Sequence, residues 1–155
     1  MDADAEAVAA LEEAPTTGRL LAVLAESLAH VLAADACLIS RAIGDMLVDL
    51  VEHSRDRRLP GGHGYLISDF PATQRVLKER RGTTVFVGDA GADVHEVELL
   101  KKLGFDSLLM VPIVVRDGTW GLAEVYRAEP FAAAEVERVT PLVVRAAELM
   151  SELEP

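Results

Sequence analysis

Asparagine is absent from this 155-residue chain, and glutamine occurs once, as Gln74. Any site that needs an Asn side chain is thereby excluded. GC-rich coding and selection at high temperature both produce this bias. There is one cysteine, Cys37, so no disulfide can form within the chain. In its apolar run it reads as a small core hydrophobe. Basic residues are few: 15 Lys and Arg stand against 26 Asp and Glu, a net charge of −11. Tight binding to a phosphate backbone needs clustered cations, so nucleic acid is not an expected partner. The densest basic run is Arg55, Arg57 and Arg58 with Asp56 inside it. It reads as a solvated turn between two elements, with an anion contact as the alternative. No apolar stretch approaches the ~20 residues that span a bilayer, and the acidic, Ala-rich N-terminus is unlike a signal peptide. The cytoplasm is the expected compartment, without membrane association. No His or Cys pair has metal-ligand spacing, so no metal site is expected.

Half of the residues are hydrophobic, and the length suits one domain whose core needs no disulfide or metal staple. Residues 2–13 are Ala- and Glu-rich and read as a short, weakly held helix that Pro15 interrupts. Thr16 and Thr17 offer N-caps to a second helix, along which Leu20, Leu24, Leu28 and Val31 form a stripe. Residues 36–43 and 46–51 read as strands around a Gly44-Asp45 turn. A Gly- and Pro-rich loop follows over 54–64. Ser68 or Asp69 is placed to cap a helix from about Phe70-Pro71 to Gly82. Thr83 to Val87 is a short strand. Asp93 and Glu96 resemble a capping box on a helix that Gly104 ends.

The strongest strand signal is Ser107 to Val115, an Asp117-Gly118 turn, and Thr119 to Arg127. Both arms are apolar at both parities, so helices should cover this ribbon on both faces. Pro112 cannot donate to a ladder and should lie at a bulge or an open edge. The last helix, Ala132 to Ser151, carries a heptad seam in Ala132, Val136, Val139, Val143, Ala146 and Met150. Pro141 should kink it or loosen one turn.

The stretch Leu103-Gly-Phe-Asp-Ser-Leu-Leu-Met-Val-Pro-Ile, the Asp117-Gly118 turn, Thr119-Trp-Gly-Leu-Ala-Glu-Val-Tyr126 and Phe131-x-x-x-Glu135 together resemble the C-terminal signature of GAF domains. Asp69-Phe-Pro-Ala-Thr also resembles a segment of bacterial GAF modules. The resemblance covers about residues 17–152 and is specific over 103–135. It implies a GAF/PAS-like α+β domain over 16–153, with residues 1–15 as a helical lead-in. The implied sheet is antiparallel with five or six strands. One face would carry the first and last helices, and the other the helices near 70–80 and 93–103 with a pocket beneath them.

The function implied is a small-molecule-sensing regulatory module of bacterial signal transduction, relaying ligand occupancy through its terminal helices. The alternative is a dimerisation module with no ligand. In that case Leu24 and Leu28 of the domain's own first helix, the one that follows Pro15, and Val136, Val139, Val143, Ala146 and Met150 of the last would form a homodimer seam. No catalytic constellation is readable, so no enzyme is expected, and the sequence names no cofactor.

Glu124 is the first pocket candidate, because a carboxylate in an apolar strand must be paired, hydrogen-bonded or protonated. A structural pairing with Arg127 or a loop amide is the plain alternative. Tyr65, Phe70, Phe86, Phe105, Trp120 and Tyr126 are candidate pocket walls, with Leu109 of the first ribbon arm beside them; ordinary core is the alternative for each. His95 lies on a helix that would cap the pocket. A haem-binding relative would use His63 or His95 as its axial ligand. Bilin-binding relatives need a thioether Cys beside the pocket, and Cys37 lies in the first strand.

Overall fold

The computed structural model describes residues 2–55 and 64–154. The expected ribbon is β5 (Ser107–Val115) and β6 (Gly118–Arg127). Every residue from Gly121 to Tyr126 is buried, as a strand apolar at both parities requires. The partner of β6 on its other side is β1 (Ala36–Ile43), with Leu38 opposite Glu124. A six-stranded antiparallel sheet results, in the order β3-β2-β1-β6-β5-β4. Here β2 is Met46–Ser54, β3 is Gly64–Leu66 and β4 is Thr83–Phe86. The middle pair is therefore β1 and β6, with β5 one place out.

One face carries three helices: α1 (Ala3–Glu12), α2 (Thr17–Val31) and α5 (Ala133–Leu153). Their apolar residues form one cluster with Cys37, Ile39, Leu109, Val111, Ala123 and Val125 of the sheet. The other face carries α3 (Pro71–Glu79) and α4 (Val94–Leu103). Its cluster holds Leu38, Leu108, Met110, Leu122 and Tyr126 together with Val76, Leu100 and Phe105. These are the two layers and the helix assignment that the resemblance implied. Among the described residues no helix is long and apolar enough to cross a membrane.

Several local readings change. The N-terminal helix is not weakly held: Leu11 is 1% exposed, and Arg138–Asp4 and Arg145–Glu12 ion pairs tie α1 to α5. The second strand runs on to Ser54, and β3 occupies the end of the expected loop. The Arg57–Arg58 pair and His63 lie outside the described residues. Pro112 is at an open edge, since β4 pairs only with Ser107–Met110 and leaves the outer side of β5 without a strand beyond it. Pro141 is accommodated within α5, on its exposed side.

Ala132 at the start of the heptad seam is exposed, but from Val139 on the seam is core of the single chain. Leu24, Leu28, Val139, Val143, Ala146 and Met150 are all buried, and Val136 packs at their margin. Leu142 and Leu149 form a second apolar line on α5, and it packs in the same cluster as Ala7 and Leu11 of α1. Burying each large aliphatic side chain there contributes ~1.5–3 kcal/mol. The seam residues are thus enclosed without a second copy.

Candidate functional site

The polar groups worth explaining lie between the sheet and α3–α4. Neither Ser68 nor Asp69 caps α3. The Ser68 hydroxyl and N–H both bond Asp45, at 2.5 and 3.0 Å. Phe70 stands at the N-cap and provides no side-chain acceptor. The free N–H groups of the first turn are instead met from α4. Asp93 Oδ2 accepts from Ala72 N at 3.2 Å, and Glu96 Oε1 from Thr73 N at 3.2 Å. Two carboxylates at the positive end of a helix are favourable on charge as well as on hydrogen bonding. Asp93 also caps its own helix through His95 N at 2.8 Å. Glu96 does not complete the expected capping box, because its carboxylate is engaged with α3.

Glu96 is 1% exposed. Thr73 Oγ1 donates to it and also lies 3.5 Å from Met110 Sδ on β5. Met110 stands opposite Glu124 in the ladder. Glu124 is 2% exposed; its Oε2 accepts from the Tyr126 hydroxyl at 3.1 Å. Its Oε1 is buried with no hydrogen-bond partner among the described residues. Burial, then the neighbouring charge of Glu96, pushes the Glu124 carboxyl from 4.5 up to about 8, against the Tyr126 hydrogen bond that lowers it. Burial also raises Glu96, against the Thr73 bond that lowers it. A carboxyl held near 8 keeps its proton at neutral pH.

Arg127 does not pair with Glu124. It points to the far end of β6 and holds Glu135 with two bonds of 2.7 and 2.9 Å. The same guanidinium donates to Leu32 O at 2.6 Å and Pro130 O at 2.8 Å, and lies 3.9 Å from the centre of the Phe131 ring. It thus joins the end of β6 to the C-cap of α2 and the start of α5. Its hydrogen bond is the main reason the Glu135 carboxyl sits below its usual value.

The structure brings five of the sequence candidates together on the α3–α4 face: Tyr65, Phe70, Phe105, Glu124 and Tyr126. Tyr65 and Phe70 meet edge to face at 5.4 Å, and Phe105 stacks on Tyr126 at 5.5 Å. Phe86 is half-buried on the wall of a cleft of about 660 Å³ between α3, β4 and the β4–α4 connection. His95 is exposed at the start of α4. Leu109 and Trp120 lie on the opposite face. Leu109 is opposite Val125 and belongs to the α2–α5 cluster. Trp120 packs against that cluster beneath the Arg41 guanidinium. A bulge causes this. Ile113 pairs with Gly121 and Val114 with Thr119, so Trp120 is the extra residue and is turned toward the side of Gly121.

Sequence reasoning missed Thr73 as a partner and took Glu96 only for a cap. A signal for Glu96 was present: Glu96, Leu100 and Leu103 share the buried stripe of α4 at helical spacing. Cys37 is fully buried against α2 and α5, on the face away from Glu124, and burial pushes its thiol well up. Among the described residues no group of three or more His, Cys, Asp or Glu is placed to hold a metal ion.

Several solved structures share this fold. The phycoerythrobilin-bound GAF domain from a cyanobacterial phytochrome is 18% identical with a TM-score of 0.81, over 97% of this chain and 94% of that one. The far-red absorbing dark state of JSC1_58120g3 with bound biliverdin IXa is 12% identical with a TM-score of 0.83, over 99% and 100%. The chromophore-binding domain of the bacteriophytochrome RpBphP3 from R. palustris is 15% identical with a TM-score of 0.81, over 98% of this chain. The present chain spans 61% of that last domain's length. No curated protein sequence matches. Residues 16–149 match the family model of the GAF domain, and with the sheet order and helix layers above they show that the chain belongs to the GAF domain family.

Proposed function

We propose that this GAF domain senses a small molecule held between the sheet and α3–α4, and passes its occupancy to the terminal helices. The observation that carries the reading is Glu124. A buried carboxyl oxygen without a partner costs about 1–3 kcal/mol, and a ligand donor would relieve that cost. The bound bilins named for the structural neighbours support a ligand on this fold. A Cys37 thioether to such a chromophore is not part of the proposal, because that thiol faces the other layer.

The relay runs through β6. Glu124 and Tyr126 face α3–α4, while Ala123 and Val125 of the same strand face α2 and α5. Arg127, at the end of that strand, holds the C-cap of α2 and the start of α5. A shift or twist of β6 is therefore felt at Leu32 and Glu135 without an intervening element. In this reading the module serves bacterial signal transduction in the cytoplasm. Pairing of two copies would use the outward side of α5 around Val144, which is 51% exposed, rather than the enclosed seam.

A thermal-shift panel of metabolites and nucleotides tests the sensing. A ligand at 100 times its Kd adds about 2.7 kcal/mol, which moves the Tm of a chain this size by roughly 5–10 °C. Hydrogen exchange then tests the relay: the amides around Leu32 and Glu135 should change protection on binding. A panel in which no compound shifts the Tm overturns the sensing. A shift that leaves those amides unchanged overturns the relay.

A further inference from the structure

Another cleft, of about 530 Å³, lies on the α2–α5 side, where α2 begins, α5 ends and the tip of the β5–β6 ribbon meets β2. Its walls are apolar: Leu21, Val51, Val115, Trp120 and Met150, with Leu50 beside them and 49% exposed. Trp120 is the chain's one tryptophan, and the bulge in β6 turns it to this side. In a chain of net charge −11, two guanidinium groups on this lining, Arg41 and Arg116, stand against one carboxylate, Glu154. Arg41 lies 5.6 Å from the centre of the Trp120 ring and has no carboxylate partner among the described residues. Thr17 and Gly18, the first residues of α2, are also on the lining, and the first turn of a helix is its positive end.

A carboxylate of the chain already lies here. Glu154 Oε2 accepts from the Thr17 hydroxyl. Arg116 donates to Ser151 O at 2.8 Å and to Glu154 O. The end of α5 is thus held over the cleft by one hydroxyl of α2 and one guanidinium of the ribbon tip. The Thr17–Glu154 contact is exposed to solvent, so another carboxylate can take its place at little cost.

We propose that this cleft is a second ligand site, which takes a small carboxylate with an apolar or aromatic body. The ligand's carboxylate replaces that of Glu154 at Thr17, favoured by the charges of Arg41 and Arg116, while its body lies against Trp120, Val51 and Val115. A cation would meet two guanidinium groups, and a neutral ligand gains nothing from either. A volume of about 530 Å³ is within the range of small-molecule sites. The site goes beyond the sensing reading and is independent of it, since Trp120 and Glu124 lie on opposite faces of the sheet. Binding here frees the Glu154 carboxylate, so the end of α5 registers occupancy directly.

The probes are phenylacetate, neutral phenylacetamide and cationic phenethylamine, titrated against the fluorescence of Trp120. Nuclear magnetic resonance shifts of the indole N–H locate the binding. Phenylacetate should shift that signal and bind about tenfold more tightly than either analogue. Arg41→Gln should weaken it about tenfold. Glu154→Gln removes the competing charge and should tighten it about threefold, because more of the protein is then free to bind. Hydrogen exchange at the amides of Leu153 and Glu154 should quicken when phenylacetate binds. Either analogue binding as well as phenylacetate, or no loss in Arg41→Gln, overturns the carboxylate assignment. An unchanged or weaker affinity in Glu154→Gln overturns the replacement of Glu154. Shifts at Phe105 and Tyr126 in place of Trp120 would put the ligand on the Glu124 face, which overturns this site and supports the sensing reading. Absence of binding by all three probes also overturns it and leaves the sensing reading to the metabolite panel.

Discussion

Replacing Glu124 by Gln should make the protein more stable, and increasingly so as pH rises. Unfolded, the carboxyl titrates near its ordinary value of 4.5; folded, burial and Glu96 hold it near 8. Below 4.5 both states carry the proton and folding incurs no penalty. Between the two values the native state keeps a proton that the unfolded state has released. Stability therefore falls as pH rises, by about 1.4 kcal/mol per pH unit. Above 8 both states are ionised and the penalty is complete, at about 5 kcal/mol. Coupling to Glu96 spreads the fall over a wider range. Gln is neutral at every pH, and its carbonyl can still accept from the Tyr126 hydroxyl. The gain of Glu124→Gln should be small at pH 5 and about 3 kcal/mol at pH 7. That is a large share of the 5–15 kcal/mol typical of a domain. Urea unfolding of both proteins at pH 5, 6, 7 and 8 measures it, and the other titrating groups largely cancel in the difference. A gain that does not grow between pH 5 and 7.5, or a variant less stable at pH 7, would refute the reasoning.

Val139→Asp should cost about 3–5 kcal/mol by burying an unpaired charge; circular dichroism should show unfolding, whereas a folded chain that merely halves its mass in light scattering would restore the seam as an interface. Gly121→Ala should loosen the sheet at its centre, because a methyl there meets Ser40 O at 2.1 Å; a loss of less than about 1 kcal/mol in urea would contradict that close approach. Leu11→Ala should cost about 2–5 kcal/mol, and a value near zero would return α1 to a loosely attached lead-in. Cys37, enclosed and with its thiol pushed up, should react with a thiol reagent only as fast as the native protein opens, so rapid labelling without denaturant would contradict its placement.

The two-layer plan was legible in the sequence because both arms of the 107–127 ribbon are apolar at both parities, which leaves no face for water. Glu124 was legible for the same reason, as the one carboxylate in the two arms outside the turn. Face assignments within the ribbon were harder. A regular ladder counted from the Asp117-Gly118 turn pairs Leu109 with Glu124 and puts both on one face. The extra residue Trp120 shifts the pairing by one, so Leu109 meets Val125 instead. Nothing in the local pattern marks a bulge. The strand β3 was hidden because three residues after a glycine-rich stretch have little preference of their own; β2 supplies the pairing. The role of α1 was hidden because Ala7 and Leu11 are too few to announce a buried face. A partner outside the chain was then assigned to a seam of α5 that the chain's own core takes in.

The first turn of α3 has no acceptor from its own segment; Asp93 and Glu96, more than twenty positions later, provide it. The two helices are therefore one part for purposes of exchange between homologous domains. A graft that imported residues 71–79 alone would arrive with bare amides over a foreign α4, whereas a cassette running from 71 through 103 would carry its own closure with it.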